Sequence, residues 1–310
     1  IRSSDWSSDV CSSDLKKKIG VISVLVLCLT FVSIMYLKKD KKSDEKVDDV
    51  YYKSVVFKDS DNDLIPISVN FHSEVELEEE IRNKIDLMKS DEMIQYGLYP
   101  VISKDLEVQS VNLKDHVLTV SFNDQLVANQ DAMDILEALT YVMTDYDDVE
   151  RVNLQINEKN VSYIPNSTIP LSSLTKSLGL NNFEETSAFL HQTVPVMVYH
   201  QKTIEQYSYY VPTTMRVDEN EPLTKQVQTI LSYVQSKIHL LDAKLDNGVL
   251  TVDLDSNILL DNEKIDQTLE DLIVLSLSSL KDVKDVEIKI NGEDVRTKQS
   301  SQIEYNYIKM

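Results

Sequence analysis

Residues 243–256 have the sequence Ala-Lys-Leu-Asp-Asn-Gly-Val-Leu-Thr-Val-Asp-Leu-Asp-Ser, and residues 111–124 have the sequence Val-Asn-Leu-Lys-Asp-His-Val-Leu-Thr-Val-Ser-Phe-Asn-Asp. Each stretch predicts two short strands joined by a tight turn, with Val-Leu-Thr-Val in the second strand. Leu250, Val252 and Leu254 alternate with less apolar residues and so fall on one face of that strand. That face can be buried in a core.

The turn between the two strands is signalled more strongly in the later copy. Asn247-Gly248 favours a two-residue hairpin because both residues tolerate a positive φ at low cost. The earlier copy has Asp115-His116 at the same place, which is a weaker turn signal. Both copies are predicted to be hairpins.

The two hairpins belong to a larger tandem repeat. Each is preceded by another hairpin and a helix, and each leads into an amphipathic helix and a closing strand, at 152–157 and 286–291. The copies lie 132 residues apart at Val-Leu-Thr-Val and 134 residues apart at the closing strand. We therefore expect an α+β fold of two tandem repeats, each a small, mostly antiparallel sheet with two helices on one face.

The first residues of the chain are not expected to belong to that fold. Residues 1–15 contain Ser-Ser-Asp three times without an apolar period, and we interpret them as a non-native artefact ahead of the natural start. Residues 19–37 are an uninterrupted apolar run between lysines, and a helix needs roughly 20 such residues to cross a bilayer. We expect residues 16–42 to be a single-pass N-terminal anchor of the cell membrane, with the domains outside the cytoplasm.

The rest of the chain divides by composition. Residues 43–50 are a charged spacer, and residues 51–163 and 188–298 are the two predicted domains. Residues 164–187 contain prolines, serines and Asn-Asn, which is typical of a linker. Residues 299–310 are expected to form a C-terminal tail.

The charge of the chain excludes one class of partner. Residues 1–42 hold 8 Lys and Arg against 4 Asp and Glu, which leaves 23 basic and 48 acidic residues for residues 43–310. The resulting net charge of −25 repels nucleic acid, so no nucleic-acid role is expected. Cys11 and Cys28 both precede residue 43, so no disulfide is expected in the domains.

The repeat carries a family resemblance. Val-Leu-Thr-Val-Asp-Leu-Asp at 249–255 and Val-Glu-Ile-Lys-Ile-Asn-Gly-Glu-Asp-Val at 286–295 resemble a GerMN domain, and 117–123 and 152–157 match more loosely. The resemblance implies a fold similar to the ring-building motifs of secretion systems. It also implies a non-enzymatic scaffold role in sporulation and germination, in the channel complex between mother cell and forespore. Other envelope proteins, and further copies of the chain, would then be its partners in the intermembrane space.

The search for catalytic chemistry finds no candidate site. All five glycines are isolated, so no Gly-rich loop can hold a phosphate, and the five histidines show no metal-binding spacing. The loop 59–63 has alternating aspartates, but it lacks the central Gly and the Glu that an EF-hand needs, which favours a polar turn. We expect no catalytic residue, no cofactor and no metal, and hence no enzyme.

Two questions stay open at this point. Tyr207, Tyr209 and Tyr210 indicate an interface with a partner, although tyrosine is also common as a strand former. The alternative function is an extracytoplasmic surface protein that binds a peptide, a pheromone or a cell-wall fragment in the cleft between the halves. An envelope hydrolase or its regulator is a third alternative, in which an acidic pair such as Asp253 and Asp255 would act, although strand alternation places both carboxylates on the outward face.

Overall fold

Each repeat consists of an opening hairpin, a helix, a second hairpin, a second helix and a closing pair of strands. The computed structural model describes residues 51–71, 75–128, 132–165, 168–182, 193–260, 264–299, 303 and 306–308. The first repeat contains, in chain order, β1 (Tyr51–Lys58), β2 (Leu64–Phe71), α1 (Leu77–Met88), β3 (Val108–Lys114), β4 (Val117–Phe122), α2 (Ala132–Met143), β5 (Arg151–Ile156) and β6 (Lys159–Asn160). The second repeat and the chain end contain β7 (Thr193–Ile204), β8 (Tyr207–Asp218), α3 (Leu223–Val234), β9 (Leu240–Asp246), β10 (Val249–Leu254), α4 (Gln267–Leu277), β11 (Asp285–Ile290), β12 (Glu293–Gln299) and β13 (Tyr307–Ile308).

The two four-stranded sheets have the same order and the same strand directions. Their orders are β3-β4-β5-β6 and β9-β10-β11-β12. The central pairs β4-β5 and β10-β11 are parallel, and the outer pairs are antiparallel. A parallel pair needs a crossover connection, which α2 and α4 supply. The predicted α+β fold of two tandem repeats is confirmed.

Apolar residues at helical and strand spacing fill the core of each repeat. In α1, Ile81, Ile85 and Met88 lie on one face, and each is at most 1% exposed. In β10, Leu250 and Val252 point to the same side and are fully buried. Hydrophobic burial of this kind is the main force that holds such a fold together.

The central hairpin turns have the same backbone geometry in both repeats. Asn247 and Gly248 have φ values of 51° and 88°, and Asp115 and His116 have φ values of 51° and 60°. Positive φ at both central residues is what a two-residue type I′ hairpin turn requires. The weakly signalled turn of the first repeat is therefore a true hairpin turn, although a histidine occupies the position where the second repeat has glycine.

Two of the differences between the repeats meet in space. The first repeat has residues 89–107 between α1 and β3, whereas the second has only 235–239 between α3 and β9. Strands β7 and β8 have 12 residues each, whereas β1 and β2 have 8. Gly97 lies so close to the hairpin that a Cβ there would be 2.4 Å from Cγ2 of Ile204. The insertion of the first repeat thus contacts the tip of the long hairpin of the second.

The segment between the repeats packs on the first repeat over the residues that the structure describes. Leu171, Leu174 and Leu180 are at most 4% exposed and belong to the first core. The amide of Val152 in β5 donates to the carbonyl of Leu174 at 2.8 Å, and the amide of Leu174 donates back at 3.0 Å. Residues 168–182 are therefore fixed to the sheet of the first repeat.

The predicted artefact (1–15), anchor (16–42) and spacer (43–50) lie outside the described residues. In the part of the chain that the structure describes, no helix is both long enough and apolar enough to cross a membrane.

Candidate functional site

The opening hairpins of the two repeats lie side by side, and the side chain of Asn181 joins them. Its Nδ2 donates to the carbonyl oxygens of Leu64 in β2 and Pro212 in β8, both at 2.7 Å. Its Oδ1 accepts from the amide of Leu64 at 2.7 Å. One amide side chain thus forms hydrogen bonds with backbone groups of both hairpins. Strands β2 and β8 do not pair with each other directly over the described residues.

Asn306 makes a second bridge of the same kind from the C-terminal segment. Its Nδ2 donates to the carbonyl oxygens of Pro66 in β2 and Tyr210 in β8, both at 2.7 Å. Its Oδ1 accepts from the amide of Tyr210 at 2.7 Å. We call β2, β8, Asn181 and Asn306 together the inter-repeat interface.

The backbone at both asparagines has the left-handed conformation. The φ values are 49° at Asn181 and 52° at Asn306, a region that asparagine adopts more readily than most residues. After this turn the chain runs parallel to a hairpin strand, because Tyr307 pairs with Ser68 in β2. Asparagine therefore suits these positions in two ways: its backbone tolerates a positive φ, and its side chain forms the bridging hydrogen bonds.

A buried carboxylate holds the segment that carries Asn181. Oε2 of Glu137 accepts from the amide of Asn181, and Oε1 accepts from Nδ2 of Asn182, both at 2.7 Å. Glu137 is 3% exposed, and burial raises its pKa to about 7 although these hydrogen bonds favour the charged form. Gly179 comes so close to Thr214 in β8 that a Cβ would be 2.1 Å from its Oγ1. No larger residue fits there without moving the segment.

The aspartate loop after β1 binds a lysine of the second repeat. Oδ1 of Asp59 accepts from the amides of Asp61 and Asp63, at 2.8 Å and 3.0 Å, which makes the predicted polar turn. Nζ of Lys202 contacts the carboxylates of all three, at 2.9 Å for Asp61 and 2.6 Å for Asp63. Burial lowers the pKa of Lys202, but the hydrogen bonds to the three carboxylates outweigh it and raise that pKa above its ordinary value. An ammonium group thus stands where the calcium hypothesis would place a metal.

The three predicted interface tyrosines lie on β8, within the contact between the repeats. The ring of Tyr207 packs edge-on against Tyr96 with centroids 5.2 Å apart. Tyr209 is 3% exposed and donates its hydroxyl to the carbonyl of Tyr96 at 2.8 Å. Tyr210 shares its backbone groups with Asn306. Their contact with a separate partner stays a prediction.

A cleft of about 780 Å³ opens between the repeats on their helical side. Its walls come from β1, α2, the segment after β6, β7 and α4. The charged groups are Lys176, Lys281 and Asp145, and neither lysine has an ion-pair partner among the described residues. Ser278 adds a hydroxyl oxygen that is buried without a hydrogen-bond partner in that same part of the chain. The cleft thus combines an apolar wall with a small excess of positive charge.

The acidic pair considered for hydrolysis has structural roles. Asp253 accepts from the amide of Gly292 at 2.9 Å, and Asp255 accepts from the amide of Asn257 at 2.9 Å. The described residues contain no group of three or more His, Cys, Asp or Glu arranged to hold a metal. Of the five histidines, His72 and His191 lie outside the described residues, and burial lowers the pKa of His200.

Sequence reasoning missed the two bridging asparagines. Asn181 stands in a segment that has the composition of a linker, and Asn306 carries no motif. The groups they bind are backbone atoms, up to 240 residues away in sequence. The pattern of residue types along the sequence gives no indication of such long-range contacts with the backbone.

Known proteins share this architecture. A solved structure, the tandem GerMN domains of the sporulation protein GerM from Bacillus subtilis, superposes with a TM-score of 0.68 at 20% identity and covers 81% of this chain and 96% of that one. At that identity the likeness concerns the fold. The spore germination protein GerM of Bacillus subtilis (strain 168) is 26% identical over 222 residues, which are 65% of this chain and 61% of that protein. The alignment thus spans about three fifths of the relative.

A family model gives the same result. The family described as "Germane: Sporulation and spore germination" matches residues 49–162 and 195–296, which together exceed half of the chain. The two matches fall on the two repeats, and they confirm the resemblance drawn from the sequence. The chain therefore belongs to the Germane family of sporulation and spore germination, with two tandem GerMN domains.

Proposed function

We propose that the chain is a non-enzymatic assembly protein of the cell envelope, which contributes to the channel complex between mother cell and forespore. The observation that carries the proposal is the inter-repeat interface. Asn181, Asn306 and the Lys202 cluster join the two repeats into one block. A scaffold needs such a block, because its binding surfaces must keep a constant distance and orientation when copies and partners assemble.

The outer surface of the second repeat supports an assembly role. Strand β9 is at the edge of its sheet and packs against α3. Tyr233 on α3 and Leu241 on β9 are 55% and 54% exposed, the highest exposed fractions among the large hydrophobic residues of the described part of the second repeat. We propose these two elements as a contact surface for another copy or another channel protein. The acidity of the chain favours a basic surface on that partner.

The proposed location is the cell membrane, with the anchor at 16–42 crossing through residues 19–37 and both domains outside the cytoplasm. The test is a fluorescent protein fused to the N-terminus and followed through starvation in a sporulating host. The C-terminus is left free because β13 pairs with β2. We expect enrichment at the membrane that engulfs the forespore, and loss of this enrichment when another channel component is deleted. An even signal around the cell throughout starvation would contradict the channel role.

A pair of variants tests the contact surface itself. Tyr233→Ser with Leu241→Ser should disperse the fusion, because the change removes exposed apolar area and leaves the core intact. Tyr163→Ser with Ile94→Ser is the matched control, since these residues are 55% and 42% exposed in the other repeat. If both pairs of substitutions change the localisation of the fusion to the same extent, this surface is not the contact surface.

The cleft favours a second candidate function, the binding of a small extracytoplasmic ligand. Its volume is in the range of ligand sites, and such sites are common between domains. Lys176 and Lys281 suit the carboxylate of a peptide or a wall fragment. A ligand that binds only the native state raises the unfolding temperature once its concentration exceeds its dissociation constant, and further with the logarithm of that concentration. A screen of peptides and wall fragments should find such a shift, and Ser177→Trp at the cleft should abolish it. If no candidate ligand raises the unfolding temperature, the ligand-binding function is ruled out and only the scaffold role remains.

A further inference from the structure

The two bridging asparagines follow the internal symmetry of the chain. Hairpin residues of the first repeat correspond to those of the second at an offset of 146, the same offset that relates the starts of α1 and α3. The corresponding pairs at the interface are Leu64 and Tyr210, Pro66 and Pro212, and Ser68 and Thr214.

The hydrogen bonds map onto one another when the repeats are exchanged. Asn181 binds the amide and the carbonyl of Leu64 and the carbonyl of Pro212. Asn306 binds the amide and the carbonyl of Tyr210, which corresponds to Leu64, and the carbonyl of Pro66. Three bonds therefore have three symmetry mates. The two asparagines occupy equivalent positions in two equivalent sites.

The segments that carry the asparagines are exchanged between the repeats. Asn182 follows the sheet of the first repeat and pairs in parallel with Thr214 of the second. Tyr307 follows the sheet of the second repeat and pairs in parallel with Ser68 of the first. Each repeat thus donates its trailing segment to the hairpin of the other, as partners in a symmetric dimer with exchanged tails do.

The two donated segments are held in place to different extents. The segment with Asn181 is internal, and Glu137 and the close approach of Gly179 to β8 hold it. The segment with Asn306 follows the last sheet of the second repeat, and its strand β13 pairs over two residues only. Ile303 and Ile308 are 7% and 6% exposed and are its apolar anchors.

We propose that the groove between β2 and β8 filled by Asn306 is an exchangeable peptide-binding site, whose second occupant is the C-terminal segment of another copy of this chain. The ligand is an extended peptide with an asparagine in the left-handed conformation, followed by a residue that pairs with Ser68. Within one copy the tethered segment has an effective concentration of about millimolar. Exchange between copies therefore becomes significant where copies are crowded, as in an assembly. The proposal stands on the groove and does not require the channel role.

Disulfide trapping tests the exchange with full chains. Cys11 and Cys28 are first replaced by serine, and then one chain carries Ser68→Cys and a second carries Tyr307→Cys. These residues are cross-strand partners, so their Cβ atoms can come within disulfide distance only when β13 pairs with β2. We expect a mixture of the two chains to form a covalent heterodimer, faster at higher concentration. A chain that carries both cysteines should form the internal disulfide at any concentration.

The outcomes decide the proposal because the internal disulfide controls for geometry and folding. If the doubly substituted chain closes its disulfide and the mixture forms no heterodimer, the segment does not exchange and the proposal is wrong. A heterodimer that forms equally well between a Tyr307→Cys chain and a chain with cysteine at exposed Ser172 would indicate random collision, and would also overturn it.

A labelled peptide of residues 303–310 tests the role of the asparagine. Its binding to the full chain with Asn306→Ala is followed by fluorescence anisotropy. The peptide with Asn306→Ala loses three hydrogen bonds at the groove, so we expect it to bind about 10- to 100-fold more weakly. The chain with Asn257→Ala is the control and should bind the native peptide no better than the unaltered chain does. Equal affinity of the two peptides would refute recognition through the asparagine.

Discussion

Replacing Asn181 by alanine should be among the most destabilising single changes in the inter-repeat interface. The change leaves the amide and the carbonyl of Leu64 and the carbonyl of Pro212 without their partner. Leu64 is 1% exposed, so water does not readily replace the side chain. A buried polar group without a partner costs about 1–3 kcal/mol, and for three groups we expect about 3–5 kcal/mol in all. Alanine at a φ of 49° adds about 1 kcal/mol of backbone strain.

Two further variants separate these contributions. Asn181→Gly removes the hydrogen bonds without the backbone strain, so it should be less destabilising than Asn181→Ala. Asn257→Ala, in an exposed turn, is the matched control and should change the free energy of unfolding by less than about 0.5 kcal/mol. The free energy is measured by equilibrium unfolding in urea, and the opening of the interface by hydrogen exchange at the amide of Leu64. A loss below about 1 kcal/mol with unchanged exchange at Leu64 would refute the assigned role of Asn181.

Three other substitutions test separate features, each through the free energy of unfolding. His116→Gly should stabilise the chain by about 0.5 kcal/mol, because glycine adopts a φ of 60° without strain, and Gly248→His should have the opposite sign. Burial raises the pKa of Glu137 to about 7 from 4.5, so its protonation stabilises the fold fully below pH 4.5, and this stabilisation is lost as the pH rises to 7. Glu137→Gln should therefore remove a fall of about 3 kcal/mol between pH 4.5 and 7.5, and an unchanged pH profile would contradict the assignment. Lys202→Met leaves three converging carboxylates without their counter-ion and should cost about 2–3 kcal/mol at neutral pH, less at acidic pH, whereas exposed Lys225→Met should be nearly neutral.

The repeat and its strands were predictable because their signals are local. The period of two in Val-Leu-Thr-Val-Asp-Leu and the turn residues at Asn247-Gly248 depend on neighbours within a few positions. Duplication supplied the same signal twice, which revealed the weaker hairpin at Asp115-His116. The polar turn at 59–63 was predictable in the same way, from the missing ligands of a calcium loop.

The inter-repeat interface was not predictable because its contacts are long-range and go to the backbone. Lys202 lies 139 residues from Asp63, and nothing near either residue indicates the other. Asn181 lies 117 residues from Leu64, and its bonds would form with any residue whose backbone stood there. Glu137 stands on a helix whose apolar stripe was clear, but its burial depends on a segment that has the composition of a loop.

The contact between Gly97 and Ile204 gives the two repeats different evolutionary constraints. A duplication begins with two identical modules. At that stage no residue of one module has been matched by substitution to a residue of the other. Here the insertion of the first repeat and the long hairpin of the second exclude any side chain larger than glycine at 97 unless the residue at 204 shrinks. The two positions are expected to covary among descendants of this chain. A chain built from two copies of either repeat would therefore lose this matched contact.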